Sequence, residues 1–434
     1  MKLKRSLVAL FTGLLVSSTV PSQAATFISE TTWGGPGSES VGGTAIAPDG
    51  STYLAGTTRS FDEFGQAQIF LVKIAPDDSV TWQRTWDGPG NFTNHEASDV
   101  AVATDGSVYV TGSTSGVAGD VVLLRYSPDG SLLWQQRWDS NGGTESGEAL
   151  AVGSDGSVYV VGGTSAGGGN ILVLKFLPDG SVAWQKTYGP AGGFKGIAVA
   201  PDGNVYVAGN VAAGDGSFGS DLVLFKINPL GELIWQRSYS AVETDDPRGG
   251  IAVAPDGSVY VAGAIQDSSR KLIVDALLVK FTPDGTLVWD RSWGGRSGDV
   301  SGAVGVKPDG TVLWAGETNE IGAGSDDAFL VQMSPEGKSI DSSTWGGTGI
   351  EHGEGVEVAS DGTIALGATA ENPPYTFQDA PMKTSRLRGA VVTPTFAFPD
   401  VAGATAEAGG TTADPGNHSP GEGGFEAALV RIGP

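Results

Sequence analysis

The chain has 434 residues, of which 68 are Gly and none is Cys, and its 25 basic and 49 acidic side chains give a formal net charge of -24. This length allows a large core or several domains. The lack of Cys excludes disulfides, thiolate metal sites and thiol nucleophiles. The acidic balance argues against nucleic acid as a partner, because phosphate binding needs a clustered positive surface. Divalent cations and uncharged glycans are compatible with it.

The N-terminal segment has the features of a secretory signal peptide. Lys2, Lys4 and Arg5 form a basic start, Leu7–Val16 is a short apolar core, and Ala24 suits a cleavage site. The apolar run is too short to span a bilayer, and no later segment has the apolar length of a transmembrane helix. We expect residues 1–24 to be removed and residues 25–434 to form one exported domain, periplasmic or extracellular.

A hairpin sequence then recurs about every fifty residues. Each copy joins an Asp-Gly turn, which favours tight hairpins, to a strand with period-two alternation. The seven copies are APDGSTYLAG (Ala47–Gly56), ATDGSVYVTG (Ala103–Gly112), GSDGSVYVVG (Gly153–Gly162), APDGNVYVAG (Ala200–Gly209), APDGSVYVAG (Ala254–Gly263), KPDGTVLWAG (Lys307–Gly316) and ASDGTIALGA (Ala359–Ala368). Such a period is typical of propellers and solenoids.

A second hairpin, such as LVKFTPDGTLVWDRSWGG at Leu278–Gly295, alternates with the first and is complete six times. Each unit therefore holds four strands. The seventh unit finds its missing parts at the chain ends, because TTWGG at Thr31–Gly35 matches a fourth strand and EAALVRIGP at Glu426–Pro434 matches a third. This split removes the free edges of an open array. The sequence thus predicts an all-β, seven-bladed propeller of four-stranded blades, with the last blade closed by both termini.

The unit resembles the seven-bladed beta-propeller (SBBP) repeat family of exported bacterial proteins. The residues that carry the resemblance are DALLVKFTPDGTLVWDRSWGG and GGIAVAPDGSVYVAG, and it covers roughly residues 28–370 and 425–434. The resemblance implies a seven-bladed propeller fold and an exported protein. It carries over no activity and no catalytic residues, because the family shares none.

Two sets of aromatic residues recur once per unit. One contains Trp82, Trp134, Trp184, Trp235 and Trp289, and the other Trp33, Trp86, Trp138, Tyr188, Tyr239, Trp293 and Trp345. They could form a carbohydrate-stacking surface. One large residue per blade is better explained as filling the widening gap between blades.

The Asp-Gly turns fall on one face of the ring, and loops of variable length and charge fall on the other, where we expect any site. Two polar rings are predicted on this variable face. The first is Gln68, Asp120, Asn170, Asp221, Asp275, Asp327 and Glu426, and it suits loop fixation. The second is Glu39, His95, Glu145, Gly192, Asp246, Asp299 and Glu351, near the channel mouth.

The second ring supplies the candidate cation site. Converging oxygens of Glu39, Glu145, Asp246, Asp299 and Glu351 could bind Ca²⁺, which takes six to eight oxygen ligands. Solvated loop carboxylates are the alternative. The candidate ligand-binding residues are His95, Glu145, Lys195, Arg248, His352 and Glu354.

An insertion at residues 371–424 separates the second and third strands of the last blade. Its first half is Pro-rich and aromatic, with Tyr375, Phe377, Phe396 and Phe398, and its second half is small and polar. The aromatic half could form a lid or partner-binding arm over the channel. A disordered excursion is the alternative.

No nucleophile elbow, zinc-protease helix motif or phosphate-cradling loop is present in the sequence. We therefore expect a monomeric, exported binding module for a protein or glycan ligand, with Ca²⁺ as a candidate cofactor. The alternative is a propeller enzyme, a lyase or hydrolase, that uses His95, His352 and ring carboxylates.

Overall fold

The computed structural model describes residues 26–88, 94–115, 119–140, 143–166, 170–188, 193–212, 220–240, 244–246, 250–267, 273–295, 297–371, 374–380, 391–394, 406–407 and 425–433. Within these residues every regular element is a β-strand. The strands form seven antiparallel sheets, one per blade. The predicted signal peptide lies outside the described residues.

The first three blades follow the chain in simple order, from the inner strand to the outer strand. Their strands are β2 (Glu39–Ile46), β3 (Thr52–Thr58), β4 (Gln68–Ile74) and β5 (Val80–Trp86) in blade 1; β6 (Asn94–Val102), β7 (Val108–Ser115), β8 (Asp120–Tyr126) and β9 (Leu132–Trp138) in blade 2; and β10 (Glu145–Val152), β11 (Val158–Thr164), β12 (Asn170–Phe176) and β13 (Val182–Tyr188) in blade 3.

Blades 4 to 6 repeat this order, except that the inner strand of blade 5 is broken in two. Their strands are β14 (Phe194–Val199), β15 (Val205–Ala212), β16 (Ser220–Ile227) and β17 (Leu233–Ser240) in blade 4; β18 (Thr244–Asp246), β19 (Ile251–Val253), β20 (Val259–Asp267), β21 (Ile273–Phe281) and β22 (Leu287–Trp293) in blade 5; and β23 (Asp299–Val306), β24 (Val312–Thr318), β25 (Asp327–Met333) and β26 (Ser339–Gly346) in blade 6.

Blade 7 confirms the predicted closure by both chain ends. Its order from the inside is β27 (Glu351–Val358), β28 (Ile364–Ala370), β32 (Glu426–Gly433) and β1 (Thr26–Trp33). The outer strand thus comes from the beginning of the chain and the third strand from its end. Trp33 pairs with Ala427 across this junction. A hydrophobic cluster containing Trp33, Leu54 and Leu429 then joins blade 7 to blade 1.

The Asp-Gly hairpins form as predicted. In the first, the Gly50 N–H donates to Ala47 O at 2.9 Å and Gly50 has a φ of 81°, a left-handed conformation that Gly adopts without strain. Asp78 takes the glycine position in the second hairpin of blade 1, with a φ of 66°. Its carboxylate accepts a 2.6 Å bond from Arg431 Nε, which ties the C-terminal strand to this turn.

The core lies between the blades, as the repeat pattern predicts. In the described residues each junction holds one cluster of buried side chains drawn from two neighbouring blades. The indole N–H of Trp86 donates to Gln135 Oε1 of the next blade at 2.7 Å, and Trp138 donates in the same way to Gln185 at 2.8 Å. The recurring aromatic residues therefore fill and link blade junctions.

The described strands of the insertion lie along the outside of the ring and not over the channel, in contrast to the lid hypothesis. Its described strands are β29 (Thr376–Asp379), β30 (Val391–Pro394) and β31 (Ala406–Glu407), which pair with the outer strands of blades 6, 4 and 2. Tyr375 lies against Trp345, with ring centroids 4.6 Å apart. The outer strand of a blade is a sheet edge, so its unused backbone N–H and C=O groups can pair with these segments. Phe396 and Phe398 lie outside the described residues.

Candidate functional site

The central channel is a cavity of about 1000 Å³ surrounded by the innermost strands of the blades. Its described lining contains small, aliphatic and acidic residues together with Asn210 and His352, and no aromatic side chain. Protein sites for sugars commonly rely on flat aromatic surfaces. The channel of the described chain therefore lacks the carbohydrate-stacking surface that the aromatic repeats could have supplied.

Six inner strands carry a β-bulge at the same repeat position, seven residues before the Asp of the Asp-Gly turn. A bulge leaves one residue outside the ladder and re-aims it. The bulged residues are Gly42, Ser98, Glu148, Lys195, Gly302 and Glu354. All except Lys195, whose side chain is outside the described set, line the channel. Polar side chains at this position therefore face a common space.

Two further carboxylates in the channel depart from the repeat. Asp99 occupies a repeat position that is Gly or Ala in the other six blades. Glu357 occupies another repeat position, two residues further along the inner strand, which is also Gly or Ala in the other six blades. Asp99 accepts 2.8 Å bonds from the N–H groups of Val100 and Leu150, the second from the neighbouring blade. Its Oδ1 lies against Gly43 of blade 1, where a Cβ would come within 2.7 Å. Blade 1 thus has a glycine, which carries no side chain, at the point where the Asp99 carboxylate lies against it.

The environment of the channel favours the protonated forms of these two acids. Enclosure by protein raises the pKa of Asp99 to about 7, against the effect of its two N–H donors. Enclosure and the nearby Asp99 charge raise the pKa of Glu357 to about 7 as well. Glu357 is nevertheless exposed to channel solvent. The two carboxylates therefore repel one another in a space that a ligand can enter.

A histidine–carboxylate pair completes the described site. His352 Nε2 lies 3.1 Å from Glu317 Oε2, and both side chains are about one-third exposed. His352 is the second residue of the inner strand of blade 7, and Glu317 lies in the second strand of blade 6. The pair therefore spans a blade junction at the variable-face end of the channel.

The structure brings only some of the sequence-predicted ligand residues together. His352 and Glu354 line the channel, and Lys195 holds the equivalent bulge position in blade 4. Arg248 lies outside the described residues. Glu148, Glu317, Asp99 and Glu357 were not predicted. Asp99 and Glu357 could have been found by aligning the seven inner strands, since each interrupts a column of Gly and Ala.

His95 corrects the prediction that the two histidines share the channel mouth. Its side chain is 1% exposed, and its ring packs edge-on against Trp86 at 4.9 Å. Burial lowers its pKa, and the Asp87 carboxylate 3.9 Å from Nε2 opposes that effect. His95 thus fills a junction between blades 1 and 2, away from the described channel lining.

The described carboxylates of the predicted second ring are buried at the blade junctions. Glu39, Glu145, Asp299 and Glu351 are each at most 1% exposed. Glu39 accepts a 2.7 Å bond from Thr58 Oγ1 and a 3.2 Å bond from the Gly35 N–H. Glu351 accepts bonds from the N–H groups of Gly347 and Glu371 at 2.8 and 3.3 Å. These carboxylates fix the loops that enter each inner strand.

The predicted shared Ca²⁺ ring is therefore not the arrangement that these residues adopt. Each described carboxylate stays within its own junction, and Asp246 is described only as backbone. Each of the four described carboxylates has a member of the first ring nearby: Glu426 for Glu39, Asp120 for Glu145, Asp275 for Asp299 and Asp327 for Glu351. Gly294 shows this closeness, since a Cβ there would lie 2.6 Å from Asp299 Oδ2 and 2.7 Å from Asp275 Oδ1. Each carboxylate bonds its own loop, so the set is divided among the blades.

Burial and these acidic neighbours raise the pKa values of three junction carboxylates, Asp299, Glu351 and Glu39. Burial raises the pKa of Asp299 to about 6, with a smaller contribution from the Asp275 charge. Burial also raises the pKa of Glu351 to about 7, with Asp327 adding to it. The pKa of Glu39 rises for the same first reason. These three carboxyl groups therefore hold protons more readily than free carboxyl groups do.

One junction brings three carboxylates within reach of a single cation. In the described chain, ligand oxygens of Asp120, Asp139 and Glu145 lie within 4.8 Å of one another. However, Arg137 Nη1 lies 3.3 Å from Asp120 Oδ2 and supplies positive charge there. Glu145 thus lies in an acidic group whose other members, Asp120 and Asp139, differ from the ring neighbours that the sequence predicted.

Comparisons with known proteins agree with the fold. A family described as "Domain of unknown function (DUF5122) beta-propeller" matches residues 103–132 and 153–182, which lie in blades 2 and 3. This match supports a beta-propeller repeat family, as the resemblance implied. A search of curated proteins finds no significant match.

Two solved structures illustrate the similarity. The WD40 domain of Neurospora crassa Pan2 has a TM-score of 0.50 at 13% identity, covering 82% of this chain and 95% of that one. A Bacteroides caccae protein of unknown function has a TM-score of 0.39 at 13% identity, covering 58% and 81%. The Pan2 likeness extends to the fold alone. The class is a seven-bladed β-propeller, and in the described chain no helix is long and apolar enough to cross a membrane.

Proposed function

We propose that this chain is an exported β-propeller of the SBBP type that binds a positively charged ligand in its central channel and at the variable face. The carrying observation is the described channel lining, which contains Asp99, Glu148, Glu317, Glu354 and Glu357 and no Lys or Arg. A cavity lined by one sign of charge and bounded by protein raises the local concentration of oppositely charged ligands.

The channel chemistry is compatible with two sources of positive charge. One is Ca²⁺, which prefers carboxylate oxygens. The other is an ammonium or guanidinium group of a small molecule or a partner protein, which can donate hydrogen bonds to the same carboxylates. Export is supported by the basic, apolar and small-residue pattern of residues 1–24.

Calorimetric titration separates these sources. CaCl₂ and spermidine are added in turn to the protein, with MgCl₂ as the control for general divalent charge. Saturable heat with one probe assigns that source, and the affinity falls as salt rises because the attraction is electrostatic. No saturable heat with either probe at low salt would refute the cation-binding function.

The His352–Glu317 pair favours a second candidate, an enzyme of the lyase or hydrolase class. A His held by a carboxylate in a solvent-accessible cavity can act as a general base. Its substrate would bind beside Glu354, two residues further along the same strand. The test is turnover of a panel of model esters and glycosides. His352→Ala would abolish turnover while leaving the fold intact, and absence of turnover across the panel would refute this alternative.

A further inference from the structure

The acidic side chains of the channel come from different blades and from different levels of the inner strands. Glu354 lies seven residues before the turn Asp of its blade, Asp99 lies six residues before it and Glu357 lies four residues before it. Because a strand rises about 3.3 Å per residue, Glu354 and Glu357 are up to about 10 Å apart along the inner strand of blade 7. Asp99 belongs to blade 2, and Glu148 belongs to blade 3. The negative charge is therefore spread along and around the channel.

This spread does not suit a single metal ion. Ca²⁺ holds its oxygen ligands at about 2.3–2.6 Å, so the oxygens of three carboxylates on one ion lie within about 5 Å of one another. Among the described residues, the group that meets this condition is Asp120, Asp139 and Glu145, which does not line the channel. The described channel carboxylates form no such group. Their positions fit a ligand that carries several separate positive charges.

An uncharged strip of the lining separates two of these carboxylates. Asp99 of blade 2 and Glu357 of blade 7 lie on either side of blade 1, which packs against both blades. Blade 1 lines the channel with Val41, Gly42, Gly43, Thr44, Ala45 and Ile46. The two carboxylates nevertheless sense one another, since the Asp99 charge contributes to the raised pKa of Glu357. The space between them suits an uncharged linker with a cationic group at each end.

The lining also selects the kind of cationic group. Quaternary ammonium ions are recognised by aromatic side chains around them, and the described lining has none. A primary or secondary ammonium group instead donates hydrogen bonds, and each carboxylate offers about four acceptor sites. Asp99 accepts one 2.8 Å bond each from the N–H groups of Val100 and Leu150, which leaves it capacity for a further donor. Ammonium groups that carry N–H donors are therefore the better match.

We propose that the channel binds a linear polyamine, in which ammonium groups are joined by short methylene segments. This inference rests on the cation-binding function proposed above and selects one class of ligand for it. One ammonium group bonds Asp99, a second bonds Glu357 across the uncharged strip of blade 1, and a further group reaches toward Glu354. The cavity of about 1000 Å³ has the size of a small-molecule site.

Calorimetric titrations at constant ionic strength test this class of ligand. The probes are spermidine, hexaamminecobalt(III), putrescine and the hexamethylated, bis-quaternary form of putrescine. Hexaamminecobalt(III) has the charge of spermidine in a compact shape, so general electrostatic attraction binds it at least as well. We expect spermidine to bind at least about tenfold more tightly than hexaamminecobalt(III), and putrescine to bind at least about fivefold more tightly than its quaternary form.

Two variants locate the bound polyamine. Glu357→Gln removes one of the two carboxylates beside the strip, whereas Glu336→Gln makes the same charge change at an exposed turn outside the channel lining. We expect the first variant to weaken spermidine binding at least about tenfold and the second to leave it within about twofold of the wild type. Equal weakening in both variants would overturn the proposal, because the polyamine would then bind elsewhere.

The remaining outcomes separate this proposal from the function on which it rests. Binding of hexaamminecobalt(III) as tight as that of spermidine, or saturable heat with CaCl₂ and none with spermidine, would overturn the polyamine assignment and leave the cation-binding function standing. Equal binding of putrescine and its quaternary form would also overturn the assignment, because N–H donors would then contribute nothing. No saturable heat with any of these probes, CaCl₂ included, would refute both.

Discussion

Two sets of carboxylates in this propeller differ in how they follow the repeat. The junction set, which includes Glu39, Glu145, Asp299 and Glu351, recurs from blade to blade and bonds the loops beside it. The channel set includes Asp99 and Glu357, which stand where other blades have Gly or Ala. Recurrence therefore marks residues that build blades, and departure from the repeat marks residues with another task.

The largest expected effect tests the structural side of this comparison. Glu351→Ala leaves the Gly347 and Glu371 N–H groups without their acceptor in a buried place. The two lost partners cost about 1–3 kcal/mol each, so the free energy of unfolding should fall by about 2–6 kcal/mol in urea denaturation. Glu354→Ala, three residues away in the channel, should change it by less than about 0.5 kcal/mol. Equal losses would erase the distinction between the two sets.

The next effect is the pH dependence of stability. The pKa of Glu351 is raised to about 7 from 4.5, and that of Asp299 to about 6 from 3.8. Between about pH 4 and pH 7 the folded protein therefore binds protons that the unfolded chain has released, so stability falls as pH rises through this window. Thermal unfolding should show a lower Tm at pH 7.5 than at pH 5. Glu351→Gln should flatten the slope, and a Tm that rises with pH would contradict the account.

A smaller effect of opposite sign is expected in the channel. Glu357→Ala restores the residue that five of the other six blades have and removes the repulsion with Asp99. Stability at pH 8 should rise by about 0.5 kcal/mol, as is common when a functional strain is removed. At pH 5, where both acids are largely protonated, the gain should vanish. A loss at both pH values would mean that Glu357 is a structural residue.

The architecture could be predicted from the sequence because the unit that forms one blade recurs seven times along the chain. The Asp-Gly turns, the strand pattern and the split last blade all depend on local signals that the structure confirms in β1 and β32. The site was harder to predict. His95 and His352 look alike in sequence, but one fills a junction beside Trp86 and the other meets Glu317 from a different blade. Such pairings depend on blade geometry, which sequence spacing does not contain.

The insertion shows the same limit. Its aromatic residues indicated a packed segment, and Tyr375 does pack on Trp345. Its composition could not indicate whether it would cover the channel or the outer edges, because both offer aromatic or apolar partners. The register shared by blades 2, 4 and 6 becomes visible only when the strands are placed.

The central claim is that the channel carboxylates bind a positively charged ligand. Its most direct test is a calorimetric titration of CaCl₂ and of spermidine into three proteins. These are the wild type, a channel variant with Glu148→Gln, Glu354→Gln and Glu357→Gln, and a control with Glu63→Gln, Asp309→Asn and Glu336→Gln. The control makes the same charge change at exposed residues outside the channel lining. The account predicts wild-type affinity for the control and at least about tenfold weaker binding for the channel variant. Equal weakening in both variants would mean that overall charge attracts the probe and that the channel is not the binding site.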